Sequence, residues 1–270
     1  MIVGNPGRHM LQSVSYRCRV RGICTTRHVR DNKVPAVRRF WRSAGVDERS
    51  GKYVVTLDNR PIKTPNGTAV ELAPSQKLLA WLIAGEWETQ SEFIGAHSLP
   101  LTSLVCRSID GLGDATVRAD VVDKLLKYFH TDSACLHEKY PSVLVELQQR
   151  HYIPIVEWAR KEYGIEISLT SDMFALQQTR ESTETLRTVL AGFSPLKLAA
   201  LEKATMSAKS LLIGLALVEH HVTAEDAAMA AQVETNAQTQ LWGLLENAHD
   251  IDNAALRQIL GASACATIGA

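Results

Sequence analysis

The sequence predicts an α+β protein, with a small N-terminal domain rich in antiparallel β structure followed by a larger all-helical domain. Three observations carry this expectation. Strand-like alternation is confined to Lys52–Leu72, and from about residue 115 onward apolar residues recur at three- and four-residue intervals. Capping residues also punctuate the helical stretches. The expected organisation is a targeting segment over 1–30, an α+β domain over 31–114 and a helical domain over 115–270.

In KYVVTLDNRPIKTPNGTAVEL, Tyr53, Val55 and Leu57 alternate with Val54, Thr56 and Asp58, while DNRP and PNG supply turn chemistry. Two or three antiparallel strands are expected there. The period then changes: Leu78, Trp81, Leu82 and Trp87 fall near a helical stripe within Ser75–Gln90, behind Pro74. Val117, Val121, Val122, Leu125, Leu126 and Phe129 mark the next helix. Val143–Tyr163 repeats the pattern, with Pro154 either kinking one helix or splitting two. Thr179–Phe193 follows. Ser194 and Pro195 read as N-cap and first turn of a long apolar helix to about His220. Thr223 with Asp226 resembles a capping box for a helix to about Asn247, and Gly261 punctuates the tail.

The chain has 270 residues, 46% of them hydrophobic and 21% charged, the composition of an ordinary soluble globular protein. Its formal charge is zero but unevenly spread. Residues 1–30 hold six arginines (Arg8, Arg17, Arg19, Arg21, Arg27, Arg30) and no acid, leaving a mildly acidic body. An acid-free, Arg-rich start with Ser13, Ser15, Thr25 and Thr26 has transit-peptide composition, and Met10, Leu11 and Val14 can form its apolar stripe. It lacks the apolar core of a secretory signal. The expected location is the mitochondrial matrix, after cleavage somewhere near residues 30–40. A basic arm for nucleic acid or lipid is the competing reading, but an acidic body does not suit nucleic acid.

Cys18 and Cys24 would leave with the transit peptide. Cys106, Cys135 and Cys265 remain, an odd and scattered set that is neither a disulfide framework nor a zinc ribbon. The longest uncharged apolar run, around Leu211–Val218, is far shorter than the ~20 residues of a membrane span, so no membrane insertion is expected.

The stretch YFHTDSACLHEKY (Tyr128–Tyr140) holds two histidines, an aspartate and a cysteine. In a strand, His130 and Asp132 would face away from Cys135 and His137. In a helix, Asp132 and Cys135 would lie roughly 200° and 140° around from His130. No regular conformation converges all four, so a metal site is not expected. The simpler reading ends a helix at Phe129-His130, caps a new turn with Asp132 or Ser133 and buries Cys135 as a small apolar residue. Glu246-x-x-His249 matches half of a di-iron pattern, but no second Glu-x-x-His exists in the chain. Neither a P-loop, a GxGxxG, an HExxH nor a GxSxG is present.

Four segments resemble the family of mitochondrial chaperones that handle the alpha subunit during F(1)-ATPase assembly. They are RRFWRSAGVDERSGKYVVTLDNRPIKTP (Arg38–Pro65), the region of Glu86-Trp87 and His97–Leu104, Leu126–Ile167, and AAQVETNAQTQLWGLLENAHDID (Ala230–Asp252). The resemblance implies a β-rich domain joined to a helical one, with no catalysis, no cofactor, no metal and no small-molecule substrate. It implies as partner the unassembled alpha subunit, shielded from aggregation until the beta subunit replaces the chaperone. The family's key glutamate falls on Glu234. Where the family usually reads Asp-Thr-Asp, this chain has His130-Thr131-Asp132, and Ala237 and Thr239 replace bulkier residues.

The resemblance thus singles out Glu234 for partner binding; Gln238 and Trp242, spaced by four from it, share its broad helix face, and the three are the expected partner-binding residues. The competing reading of Trp242 is a core residue, and of Glu234 a cap or pair within the helical domain. Trp87, Trp158, Phe40 and Trp41 are expected in the core or at the domain junction. Two rival functions stand beside the chaperone: a matrix hydrolase using Cys135 with His130 or His137, and a general scaffold presenting the apolar helix Leu196–Val218.

Overall fold

The structure, a computed structural model, describes residues 37–172, 174–244 and 250–269. The basic segment over 1–30, and with it the transit-peptide reading, lies outside the described residues, as do Glu246 and His249. Val37–Ala270 pack as one compact unit.

The chain opens with β1 (Ala44–Arg49), β2 (Lys52–Leu57), β3 (Arg60–Pro61) and β4 (Glu71–Leu72), an antiparallel sheet with β2 at its centre. Register follows from two tight turns. Ser50-Gly51 (φ 51° and 74°) joins Arg49 to Lys52, and Asp58-Asn59 (φ 46° and 68°) joins Leu57 to Arg60. Both two-residue turns sit in the left-handed region that matches the twist of a hairpin. Asp58 also accepts from the backbone N–H of Arg42 and Ser43 at 3.0 Å, and Arg39 donates to the carbonyls of Glu88 (2.8 Å) and Gln90 (2.7 Å). These bonds account for the RRFW…LDNRP segment as a brace between the sheet and the first helix.

That helix, α1 (Lys77–Glu88), lies on β1 and β2. It buries Leu79, Ala80, Ile83 and Ala84, while Leu78 and Trp81 face solvent, each 53% exposed. The expected stripe was therefore out of phase: KLLAWLIAGEWE is apolar around most of its circumference, and periodicity cannot choose a face there. Trp41 is buried, with Trp87 edge-on at 5.1 Å, whereas Phe40 is 73% exposed and belongs to neither core nor junction. Trp87 and Trp158 are half-buried. Glu86 bonds the N-terminus of α2 (Pro100–Asp110), accepting from Leu101 N (2.6 Å) and Thr102 N (2.9 Å), and Trp87 Nε1 donates to Thr102 Oγ1 (3.1 Å).

The helical region follows with α3 (Ala115–His130), α4 (Ser142–His151), α5 (Ile153–Tyr163), α6 (Arg180–Ala191) and α7 (Pro195–Ala208). It ends with α8 (Leu211–Val218), α9 (Ala224–Ala231), α10 (Val233–Trp242) and α11 (Asp250–Ala266). Asp114 caps α3, Thr179 caps α6, Ser194 caps α7, and Thr223 with Asp226 forms the expected capping box of α9. Pro154, within the first turn of α5, marks a split rather than a kink.

Two expected helices are broken. The run from Ser194 to His220 divides at Lys209, left-handed at φ 56°, and restarts at Ser210, whose hydroxyl caps Ile213 N at 3.0 Å. The run from Thr223 divides at Gln232 (φ −113°, ψ 16°). Gly261 lies inside α11 rather than ending an element. All eight residues of α8 are buried among α3, α5, α7, α9 and α11. An all-round apolar helix belongs in such a place. It offers no outward face, so the scaffold reading keeps only the α7 half of its apolar run, where Lys203 and Met206 are exposed. The same hydrophobic cluster continues through Leu125 and Leu104 to Val55 and Trp41 of the sheet region. Among the described residues no helix is long and apolar enough to cross a membrane.

Candidate partner-binding face on α10

Tyr128–Tyr140 carries the residues of the rival hydrolase and metal readings. His130 ends α3 and is exposed. Asp132 is fully buried and braces two elements. Its Oδ1 accepts from Ala134 N (3.0 Å) and its Oδ2 from Leu212 N at the start of α8 (3.0 Å). Burial pushes its carboxyl up to about 6 against these hydrogen bonds. Cys135 is fully buried. Its Sγ accepts from Gln178 Nε2 at 3.5 Å, and burial, followed by the charge of Asp132, pushes the thiol far above its ordinary range. A nucleophilic cysteine needs the opposite shift. His137 bonds Ala134 O at 3.0 Å and lies edge-on to Tyr152. The side chains point at different neighbours. Among the described residues no three His, Cys, Asp or Glu side chains gather as metal ligands would.

The expected binding residues do come together. α10 packs mainly on α4 and α9, with Val233 and Ala237 buried as its anchors. Glu234, Gln238 and Trp242 all face outward, Trp242 with 79% of its surface exposed. Trp242 is thus not a core residue. Leu241, seven residues from Glu234, completes one broad face at 43% exposure. Among the described residues Glu234 has neither a salt bridge nor a side-chain hydrogen bond, and none of them makes it a cap or a pair. Its charge is felt inside: after burial itself, Glu234 is the next cause holding the buried Tyr152 phenol above its usual range.

Local sequence explains the placement. Gln232 breaks α9 from α10, its side chain bonding Asn253 of α11. Arg257 of α11 grips Glu225 of α9 with two bonds of 2.8 and 2.9 Å. Gly243, at φ 86°, ends α10 just after Trp242. Sequence reasoning missed the further exposed apolar residues, Leu241, Leu244 (70%) and Ile251 (84%). The signal available for Leu241 was its seven-residue spacing from a glutamate on a polar face.

A family model described as ATP12 chaperone protein matches residues 38–160. The Schizosaccharomyces pombe protein named "Protein atp12, mitochondrial" is 32% identical, covering 85% of this chain and 82% of its own. Saccharomyces cerevisiae "Protein ATP12, mitochondrial" is 30% identical, covering 84% and 83%. The crystal structure of Atp12 from Paracoccus denitrificans superposes with a TM-score of 0.72 at 28% identity, over 84% of this chain and 95% of that one. Its agreement extends over both the sheet and the helical region, in line with the α+β class expected from sequence. The mitochondrial location expected from the Arg-rich start is that of both yeast relatives. On this breadth of similarity, the chain belongs to the ATP12 chaperone family.

Proposed function

We propose that this protein is a mitochondrial matrix chaperone that binds the unassembled alpha subunit of F(1)-ATPase and keeps it from aggregating until the beta subunit takes its place. It acts by binding in place of catalysis, without ATP, metal or cofactor. Family membership supports the chaperone class, and the resemblance of its segments supports the alpha subunit as client. The observation that carries the location of the contact is the outward face of α10. Glu234, Gln238, Leu241 and Trp242 set an outward carboxylate, an amide and two apolar side chains on one helix side. Such a face can bury an indole and a leucine while pairing with a cation on the client. The cap must also yield to the larger alpha–beta interface, so its affinity is high enough to suppress aggregation and lower than that of the final partner.

The test follows light scattering of purified alpha subunit diluted from denaturant, with one equivalent of this protein. Suppressed scattering, reversed in favour of an alpha–beta complex when beta is added, is expected. Glu234→Lys, a substitution at an exposed position, is expected to lose suppression while keeping its melting temperature. Unchanged scattering with the wild-type protein would overturn the function. Full activity of the variant would remove α10 from it.

A further inference from the structure

A second surface lies away from α10, where α2, α3, α7 and α11 meet. A hollow of about 340 Å³ has Leu104, Ala199, Ile259 and Ala262 among its lining residues. Its rim holds Arg107, Glu202, Lys203 and Met206. A second hollow of about 260 Å³ opens beside it, walled by Val121, Leu125 and Tyr128 of α3 and flanked by Lys124 and Lys127. Glu202 and Met206 line both, so the two hollows form one groove across the outer ridge of α7.

The groove is apolar within and cationic along its length. Arg107 holds Glu202 through two bonds of 2.9 and 3.0 Å, which removes the one acid of the rim from competition. Lys124, Lys127 and Lys203 are exposed and have no salt bridge among the described residues. Met206, 57% exposed, stands between the hollows. A flexible thioether in that position can adapt to varied apolar side chains.

From this arrangement we propose that the α2–α3–α7 groove docks an acidic amphipathic segment of a protein partner, with two successive apolar side chains in the hollows and flanking carboxylates on Lys124, Lys127 and Lys203. Charge complementarity chooses the occupant. The lysines accompany both hollows, as a row of carboxylates along a helix requires; a fatty acid would need one cation at one mouth. Each hollow is near or below the lower end of the ~300–1,000 Å³ usual for small-molecule sites, a size for single side chains more than for a whole ligand.

The probe is a fluorescein-labelled amphipathic helix of about four turns, with leucines at three- and four-residue spacing and glutamates on the flanks. Its control carries lysines instead. Fluorescence anisotropy is expected to show the acidic helix binding at least about tenfold more tightly than the basic one, and more weakly as salt rises. Lys127→Glu with Lys203→Glu, and separately Met206→Glu, should each weaken binding about tenfold with melting temperature unchanged, since all three positions are exposed. Glu234→Lys should leave the peptide affinity as it is, which separates this groove from the α10 face. Equal affinity for the two helices, or indifference to the charge reversals, would overturn the proposal. So would a saturable complex with dodecanoate in a protein that does not bind the acidic helix.

Discussion

Asp132 lends itself to a quantitative test. Its carboxylate is fully buried between the turn at Ala134 and the first residues of α8, and its pKa is raised from the ordinary 3.8 to about 6, desolvation outweighing the hydrogen bonds. Below about pH 3 both folded and unfolded chains hold the proton. As pH rises toward 6 the unfolded chain loses it first, and the unfolded state gains. Stability therefore falls with pH through this window, by about 1.4 kcal/mol per unit and roughly 3 kcal/mol in all. Asp132→Asn removes the titration and keeps one acceptor, but turns an amide N–H₂ toward the other backbone donor, a fixed loss of about 1–3 kcal/mol. Urea unfolding of both proteins near pH 4, 5 and 7 separates the two effects. The stability lead of the wild type over the variant should shrink by roughly 2 kcal/mol between the ends of the series, since near pH 4 the unfolded chain has already lost part of its proton. Parallel curves, with a lead constant to within about 1 kcal/mol across a range in which both proteins stay two-state, would show that Asp132 is not a buried acid of raised pKa.

Two further outcomes follow from packing and exposure. Trp242→Ala should leave the melting curve within about 0.5 kcal/mol of wild type, because the indole is 79% exposed. It should weaken alpha-subunit binding by about 2 kcal/mol, near thirtyfold, measured by titration calorimetry or interferometry. Gly214→Ala in α8 would place a methyl 2.6 Å from Thr205 Oγ1 and 3.2 Å from both Leu201 Cδ1 and Thr205 N. The α7–α8 contact cannot absorb it without shifting, and calorimetric melting should report a loss of about 1–3 kcal/mol.

The class of the fold was legible because its two periods are segregated along the chain, and the caps at Ser194 and Thr223 stand beside apolar runs. The breaks were harder to see. Lys209 adopts a left-handed conformation with no glycine to announce it, and Gln232 breaks a helix without a proline. Tertiary packing imposes both, since α8 must turn inward and α10 must swing onto α4. The face of α1 was invisible for a different reason: a helix apolar all round carries no phase. At the candidate site the four-residue spacing put Glu234, Gln238 and Trp242 together on one side of α10. Its exposure was not readable, because a tryptophan's average burial says nothing about the end of a particular helix. The α7 groove draws on four helices separated in sequence, and only the folded chain brings Leu104 and Ile259 to one hollow.

The outward carboxylate of Glu234 carries a consequence for a protein that leaves Leu241 and Trp242 bare in solution. Apolar surface of this kind is adhesive toward anything greasy, including other copies of the same chain. An adjacent carboxylate changes the terms of contact. Whatever seals the face must either offer that charge a cation or strip its water with nothing in return, and the second option costs several kcal/mol. Indiscriminate sticking is thereby taxed, while a surface presenting a lysine or arginine beside its own apolar residues is not. With α10 as the client face, as proposed, one side chain makes an otherwise tacky helix selective.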